Sequence, residues 1–173
     1  TKANSNAYNN AVLNICIPMG AVFESITLHT GAGKLTIDTL SSKRIDFKLG
    51  AGEVSVGSLF ASEYANIDGG AGNITVSDGA LNRFNLKMGV GELNLISALS
   101  GDCDLEMGVG AANITLIGNK NDYKIDINKG VGTITVDGQV VTDFGSSGNG
   151  TCSIKINGGV GSIDLKFKGA NAQ

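Results

Sequence analysis

Apolar and polar residues alternate in short runs along most of the chain, and each run is divided from the next by a Gly-x-Gly. The pairs are Gly31/Gly33, Gly50/Gly52, Gly70/Gly72, Gly89/Gly91, Gly108/Gly110, Gly130/Gly132 and Gly159/Gly161, with first glycines 19, 20, 19, 19, 22 and 29 residues apart. Three residues before the first glycine stand Leu28, Phe47, Ile67, Leu86, Leu105, Ile127 and Ile156, and five before it Ile26, Ile45, Ala65, Phe84, Cys103, Ile125 and Ile154. After the glycines come Leu35/Ile37, Val54/Val56, Ile74/Val76, Leu93/Leu95, Ile114/Leu116, Ile134/Val136 and Ile163/Leu165, with the fifth copy displaced by Ala111 and Ala112. Period-two alternation predicts strands with one buried face.

A near-constant period too short for a domain and too long for a hairpin predicts units that bury their apolar face by stacking on one another. The expected fold is therefore all-β, a right-handed single-stranded parallel β-helix (β-solenoid) of about seven coils of 19–20 residues. The apolar phase slips by one residue across each Gly-x-Gly, so the chain must bend there, and all fourteen glycines are read as structural corners. The small residue between them (Ala32, Ala51, Ala71, Val90, Val109, Val131, Val160) is expected to fill a narrow inner corner. A third, less regular side is expected near Leu40, Leu59, Leu81, Leu99 and Ile117.

In chain order, residues 1–11 are polar and lack an initiator Met, a basic n-region and an apolar h-region, so they read as a processed or excised segment. Residues 12–25 are the expected N-terminal cap, with Leu13, Ile15 and Ile17 in a strand closed by a turn at Pro18, Met19 and Gly20. The solenoid spans 26–167, and the insertion at 138–150 folds over the last coils as a cap or serves as a recognition loop. Residues 168–173 form a polar tail.

Composition narrows the class further. The 26 glycines lack a three-residue period, apolar content is 42%, and Trp is absent, which excludes collagen and disorder and leaves helix poorly supported. A net charge of −3 without a basic stripe disfavours nucleic acid. No apolar run approaches the length that spans a bilayer.

Candidate chemistry is sparse, and no catalytic, cofactor-binding or metal-binding residue is assigned. The positions that a phosphate loop would fill with Gly or Lys-Ser/Thr hold Thr36, Ser55, Thr75, Asn94, Asn113, Thr135 and Asp164. Calcium-binding nonapeptides would need Asp where Ile74 stands, and Asp102 and Asp104 read as solvated acids. His29 is the only histidine and sits on the outward phase. Cys103 and Cys152 read as small core residues, Cys16 lies off the apolar phase, and three cysteines without paired spacing support no disulfide framework. The outward column His29, Lys48, Asp68, Lys87, Glu106, Asn128, Asn157 alternates in sign through its middle, which favours in-register stacking. A hydroxyl column at Thr36, Ser55, Thr75, Thr115 and Thr135 is broken by Asn94 and Asp164. Arg44 and Arg83 share no column, which argues against a polysaccharide lyase groove.

Taken together, the Gly-Ala-Gly and Gly-Val-Gly units, Ile17-Pro18-Met19-Gly20, Asp122-Tyr123 and the Gly/Ser/Asn-rich insertion before Gly158-Gly159-Val160-Gly161-Ser162-Ile163 resemble the putative-adhesin family of bacterial β-solenoid proteins, a domain of unknown function. The resemblance covers residues 13–167. It implies a parallel β-helix of Gram-positive envelopes, often behind a membrane-spanning or other N-terminal segment, and supplies no catalytic residues. The expected role is a non-enzymatic, extracytoplasmic spacer or interaction module, anchored by a segment outside these residues and presenting a flat face or a loop to cell-wall glycan or a surface protein. The alternatives are a carbohydrate-binding or carbohydrate-processing β-helix, and a scaffold that polymerises end to end.

Overall fold

The computed structural model describes residues 14–141 and 146–169, with backbone alone for 146–147. It is all-β and largely parallel. The strands are β1 (Phe23–Val76), β2 (Gly79–Asn82), β3 (Phe84–Ser100), β4 (Asp102–Ile117), β5 (Tyr123–Val136), β6 (Gln139–Val141), β7 (Ser146–Ser147) and β8 (Cys152–Lys168), with a 3-10 turn at Lys120–Asp122. β1 is one extended path that passes through three Gly-x-Gly units.

Like residues stack on like. Ile67 pairs with Leu86, Leu86 with Leu105, Leu105 with Ile156, and Ile156 with Ile127. All five are buried, and each removes an aliphatic side chain from water for about 1.5–3 kcal/mol. The phase slip is visible in β3, where Phe84, Leu86 and Met88 are buried before the glycines and Leu93, Leu95, Ser97 and Leu99 after them.

The order of stacking departs from the expected chain order. The sheet runs β1-β2-β3-β4-β8-β5-β6, with β7 also on β5 and β1 also on β3. The last strand lies between β4 and β5, paired to β4 from Asp102↔Ser153 to Ile117↔Lys168 and to β5 from Tyr123↔Cys152 to Val136↔Leu165. The chain leaves β4, steps over one strand spacing through residues 118–122, lays down β5, and returns to fill the gap. Gly118 N–H donates to Lys168 O at 2.8 Å and Asp137 N–H to Leu165 O at 2.9 Å, holding the start of the crossover and the residue after β5 to β8.

The sheet is also not wholly parallel. Val136 turns through Asp137 (φ 48°) and Gly138 (φ 79°) into Gln139, and Gln139–Val141 runs back antiparallel along Val136–Ile134. Ser146 and Ser147 pair antiparallel with Asp126 and Ile125. The described strands of the 138–150 insertion, β6 and β7, therefore lie along the β5 edge that β8 leaves free.

Two local expectations are corrected. The fifth repeat is not displaced: Ala112 stands opposite Leu93, Ile114 opposite Leu95 and Leu116 opposite Ser97, because buried Ala112 takes the place of a larger side chain. Thr115 accordingly lies outside the hydroxyl column, where Asn113 stands opposite Asn94. The third side is irregular, as expected: Leu81 pairs with Leu99, whereas Leu59 faces Gly79 and Ala61 faces Leu81, a shift of two. At the N-terminus, the turn at Met19–Gly20 is present, with Ala21 N–H donating to Pro18 O at 3.1 Å. The described part of the expected strand, 14–18, is not paired, and Ile15 is 72% exposed. Residues 1–13 and 170–173 lie outside the described residues.

Candidate interaction surface

The Gly-x-Gly units form a continuous ladder. Gly72 pairs with Gly91, Gly91 with Gly110, Gly110 with Gly161, and Gly161 with Gly132. The second glycine of every pair has φ between 132° and 146°. A Cβ on Gly110 would overlap the carbonyl oxygen of Gly91, so two conditions, a left-sided φ and backbone against backbone, each select glycine there.

The residue between the glycines faces solvent, which corrects the inner-corner expectation. Val90 is 54% exposed, Val109 47%, Val160 51% and Val131 71%, and Ala32, Ala51 and Ala71 are exposed too. The slip falls within the unit, between buried Met88 before it and buried Leu93 after it, and the middle residue lies on the outside of the bend. Ala71, Val90, Val109, Val160 and Val131 are successive register partners and make an exposed apolar ridge along the stack.

Charged side chains link one repeat to the next. Lys34 meets Glu53 at 3.1 Å, Lys43 meets Glu24 at 2.7 Å, Arg44 meets Glu63 at 2.9 Å and Lys87 meets Glu106 at 3.4 Å. Lys43 holds the Glu24 carboxyl below its ordinary value by hydrogen bond and charge. Asp68 pairs in register with Lys87, but Glu106 meets Asn157 and not Asn128, since β8 intervenes. Arg44 and Arg83 do share a column, six residues before Gly50 and Gly89 and two repeats apart, and both bind Glu63, Arg44 at its carboxylate at 2.9 Å and Arg83 Nε at its carbonyl O at 2.7 Å. Amide ladders run beside these: Asn113 donates to Asn94 Oδ1 at 2.9 Å and Asn66 to Asp46 Oδ1 at 2.8 Å. His29 is exposed, and Asp104 accepts from Asn157 at 3.4 Å.

A cavity of about 180 Å³ opens among the first repeats, lined by Thr30, Leu35, Leu49, Val54, Ile74 and Met88 with Lys34 at its rim. Gly69 stands opposite Met88 at its wall, in the row that Leu49 and Met88 fill with side chains. Among the described residues, no group of three or more His, Cys, Asp and Glu converges as metal ligands. No described helix is long and apolar enough to cross a membrane.

With this architecture in place, the comparison with known proteins is specific. A family model described as Toastrack DUF4097 matches residues 2–169. The chain belongs to the Toastrack DUF4097 family. The toastrack chain is also similar to a putative cell adhesion protein from Clostridium sporogenes ATCC 15579, with a TM-score of 0.43 and 20% identity over 90% of this chain and 97% of that one. No curated protein matches the toastrack chain significantly. Its repeat, glycine ladder and parallel stacking were legible in the sequence, whereas the exposed ridge was missed although the phase slip that creates it was in view.

Proposed function

We propose that this toastrack domain is a non-enzymatic, extracytoplasmic spacer and interaction module of a bacterial cell envelope, built as a right-handed single-stranded parallel β-helix of about seven coils of 19–20 residues. The register of like residues supports the coil count, and the strong preference of parallel crossovers for one hand supports the handedness. The observation that carries the function is the exposed ridge of Ala71, Val90, Val109, Val160 and Val131. Large aliphatic side chains aligned on one exposed line across successive strands mark a contact surface. The charged columns, engaged between neighbouring repeats, keep that line straight and in register.

The partner is cell-wall glycan or a surface protein. A carbohydrate-processing groove would gather Asp, Glu, Lys and Tyr, and the cavity beneath the first corners is lined mainly by aliphatic side chains and glycine. An end-to-end scaffold would need both ends free to pair, and β6 and β7 lie on the outer edge of β5.

Co-sedimentation with purified peptidoglycan and wall polysaccharide tests the reading, using the parent and a Val90→Lys/Val109→Lys variant. Pelleting of the parent alone assigns the glycan to the ridge. Equal pelleting of both removes the ridge as the contact surface. If neither pellets, the glycan is eliminated and a surface protein is the partner to capture.

A further inference from the structure

Two of the three cysteines meet in the core. Cys103 is the second residue of β4 and Cys152 the first of β8. In the register of these strands Cys103 faces Ile154, so Cys152 lies two residues along on the same inward face. Both are buried, at 4% and 6% exposure, and Cys152 stands opposite the buried Tyr123 on its other side. The Cys103 thiol donates to Ser100 O, at the end of β3, at 3.6 Å.

We propose that Cys103 and Cys152 form a reversible disulfide that fastens β8 in its place between β4 and β5. In a parallel pair, with strands about 4.8 Å apart and a rise of about 3.3 Å per residue, diagonal neighbours sit roughly 8 Å apart at Cα. A disulfide spans about 4.4–6.8 Å. Closing the bond therefore asks the first residue of β8 to move by about an ångström. That residue is where the strand yields most easily, since Thr151 before it is outside the strand and exposed. The remaining strain makes the bond reducible, as strained disulfides are.

The oxidant is a low-molecular-weight disulfide. Cys103 gives its proton to solvent base and attacks one sulfur of the oxidant; that S–S bond breaks as a mixed disulfide forms, and the departing thiolate takes up a proton. Cys152 then loses its proton and attacks Cys103 Sγ, expelling the second small thiol. Two protein thiols lose two electrons in all, and one disulfide becomes two thiols. The order follows from the neighbouring Cys152 thiol, which holds Cys103 below its ordinary value. The proximity of Cys103, reinforced by burial, pushes Cys152 up. An oxidising compartment favours the product, but the chemistry is independent of location.

The bond closes a loop of about fifty residues and constrains the unfolded chain accordingly. The test uses the whole chain with exposed Cys16 replaced by Ala, incubated with glutathione disulfide. Expected are the loss of both thiols to alkylation after unfolding, a mass lower by two hydrogens, and a Tm higher by about 10 °C, reversed by dithiothreitol. Cys103→Ala and Cys152→Ala, each close in size to the native residue, should fold and abolish all three changes. Two alkylatable thiols after oxidation overturn the proposal, as does a glutathione adduct on either cysteine without a cross-link.

Discussion

At the scale of single residues, the glycine ladder and the ridge beside it separate fold from surface. Gly110 has φ 144°, and a side chain there would enter the Gly91 carbonyl. Gly110→Ala should cost about 3 kcal/mol or more in urea unfolding, because backbone, and not a flexible side chain, must give way. Its neighbour Val109 is 47% exposed, and Val109→Ala should stay within about 1 kcal/mol of the parent. Similar costs at both positions would mean that the corner is not close-packed.

Tyr123 offers a pH signature at the same scale. Its hydroxyl donates to Ile117 O at 2.6 Å, and its ring lies 6.2 Å from that of Phe167. Burial raises its ionisation above the ordinary tyrosine value. An acid whose folded pKa is raised stabilises the fold fully while neutral, below the unfolded value, and loses that contribution as pH climbs through the folded value. Stability should therefore fall above about pH 10. Tyr123→Phe should cost about 1 kcal/mol at neutral pH and flatten the alkaline decline. An unchanged decline in the variant would assign the alkaline loss to other groups.

At the scale of elements, the antiparallel return of β6 was readable and was not read. Asp-Gly between alternating apolar residues is a strong signal for a two-residue hairpin. Ile134, Val136, Asp137, Gly138 and Val140 carry it, and both central residues take the positive φ that such a turn requires. The misplaced fifth repeat has its origin in size: Ile114 and Leu116 are larger than Ala112 and attracted the alignment, although only Ala112 keeps Asn113 beside Asn94. The position of β8 was not readable at all. Leu105, Ile156 and Ile127 are near-equivalent occupants of one column, so β5 directly on β4 satisfies the pattern as well as β8 between them. What decides the order is the reach of two crossovers, which repeat statistics do not encode. The arrangement predicts an exchange pattern. Amides of β8 should be among the slowest to exchange with deuterium, because neighbours on both sides accept from them, while those of β6 exchange far faster. Rapid exchange over 153–165 would place β8 at an edge.

For the whole molecule, the inserted strand changes what kind of stack this is. In a stack laid down in chain order, stability is a sum of nearest-neighbour terms, and removing the last unit leaves a shorter but intact remainder. Here the last unit in sequence is an inner unit in space, with β4 on one side and β5 with the returning insertion on the other. Truncation after Thr151 therefore removes the contacts of two interfaces at once, exposing the inward rows of Leu105, Ile114, Ile127 and Ile134 along an empty gap. The truncated chain should lose its cooperative thermal transition over 79–141, bind a hydrophobic dye and aggregate at micromolar concentration. Restoring residues 152–169 as a separate peptide should recover part of the transition, because the gap is complementary to that strand in register on both walls. A truncated protein that still melts in one sharp transition, a few degrees lower than the parent, would mean that β5 closes directly onto β4. In that case the matching columns suffice to hold the stack, and the order of strands is a matter of connection and not of stability.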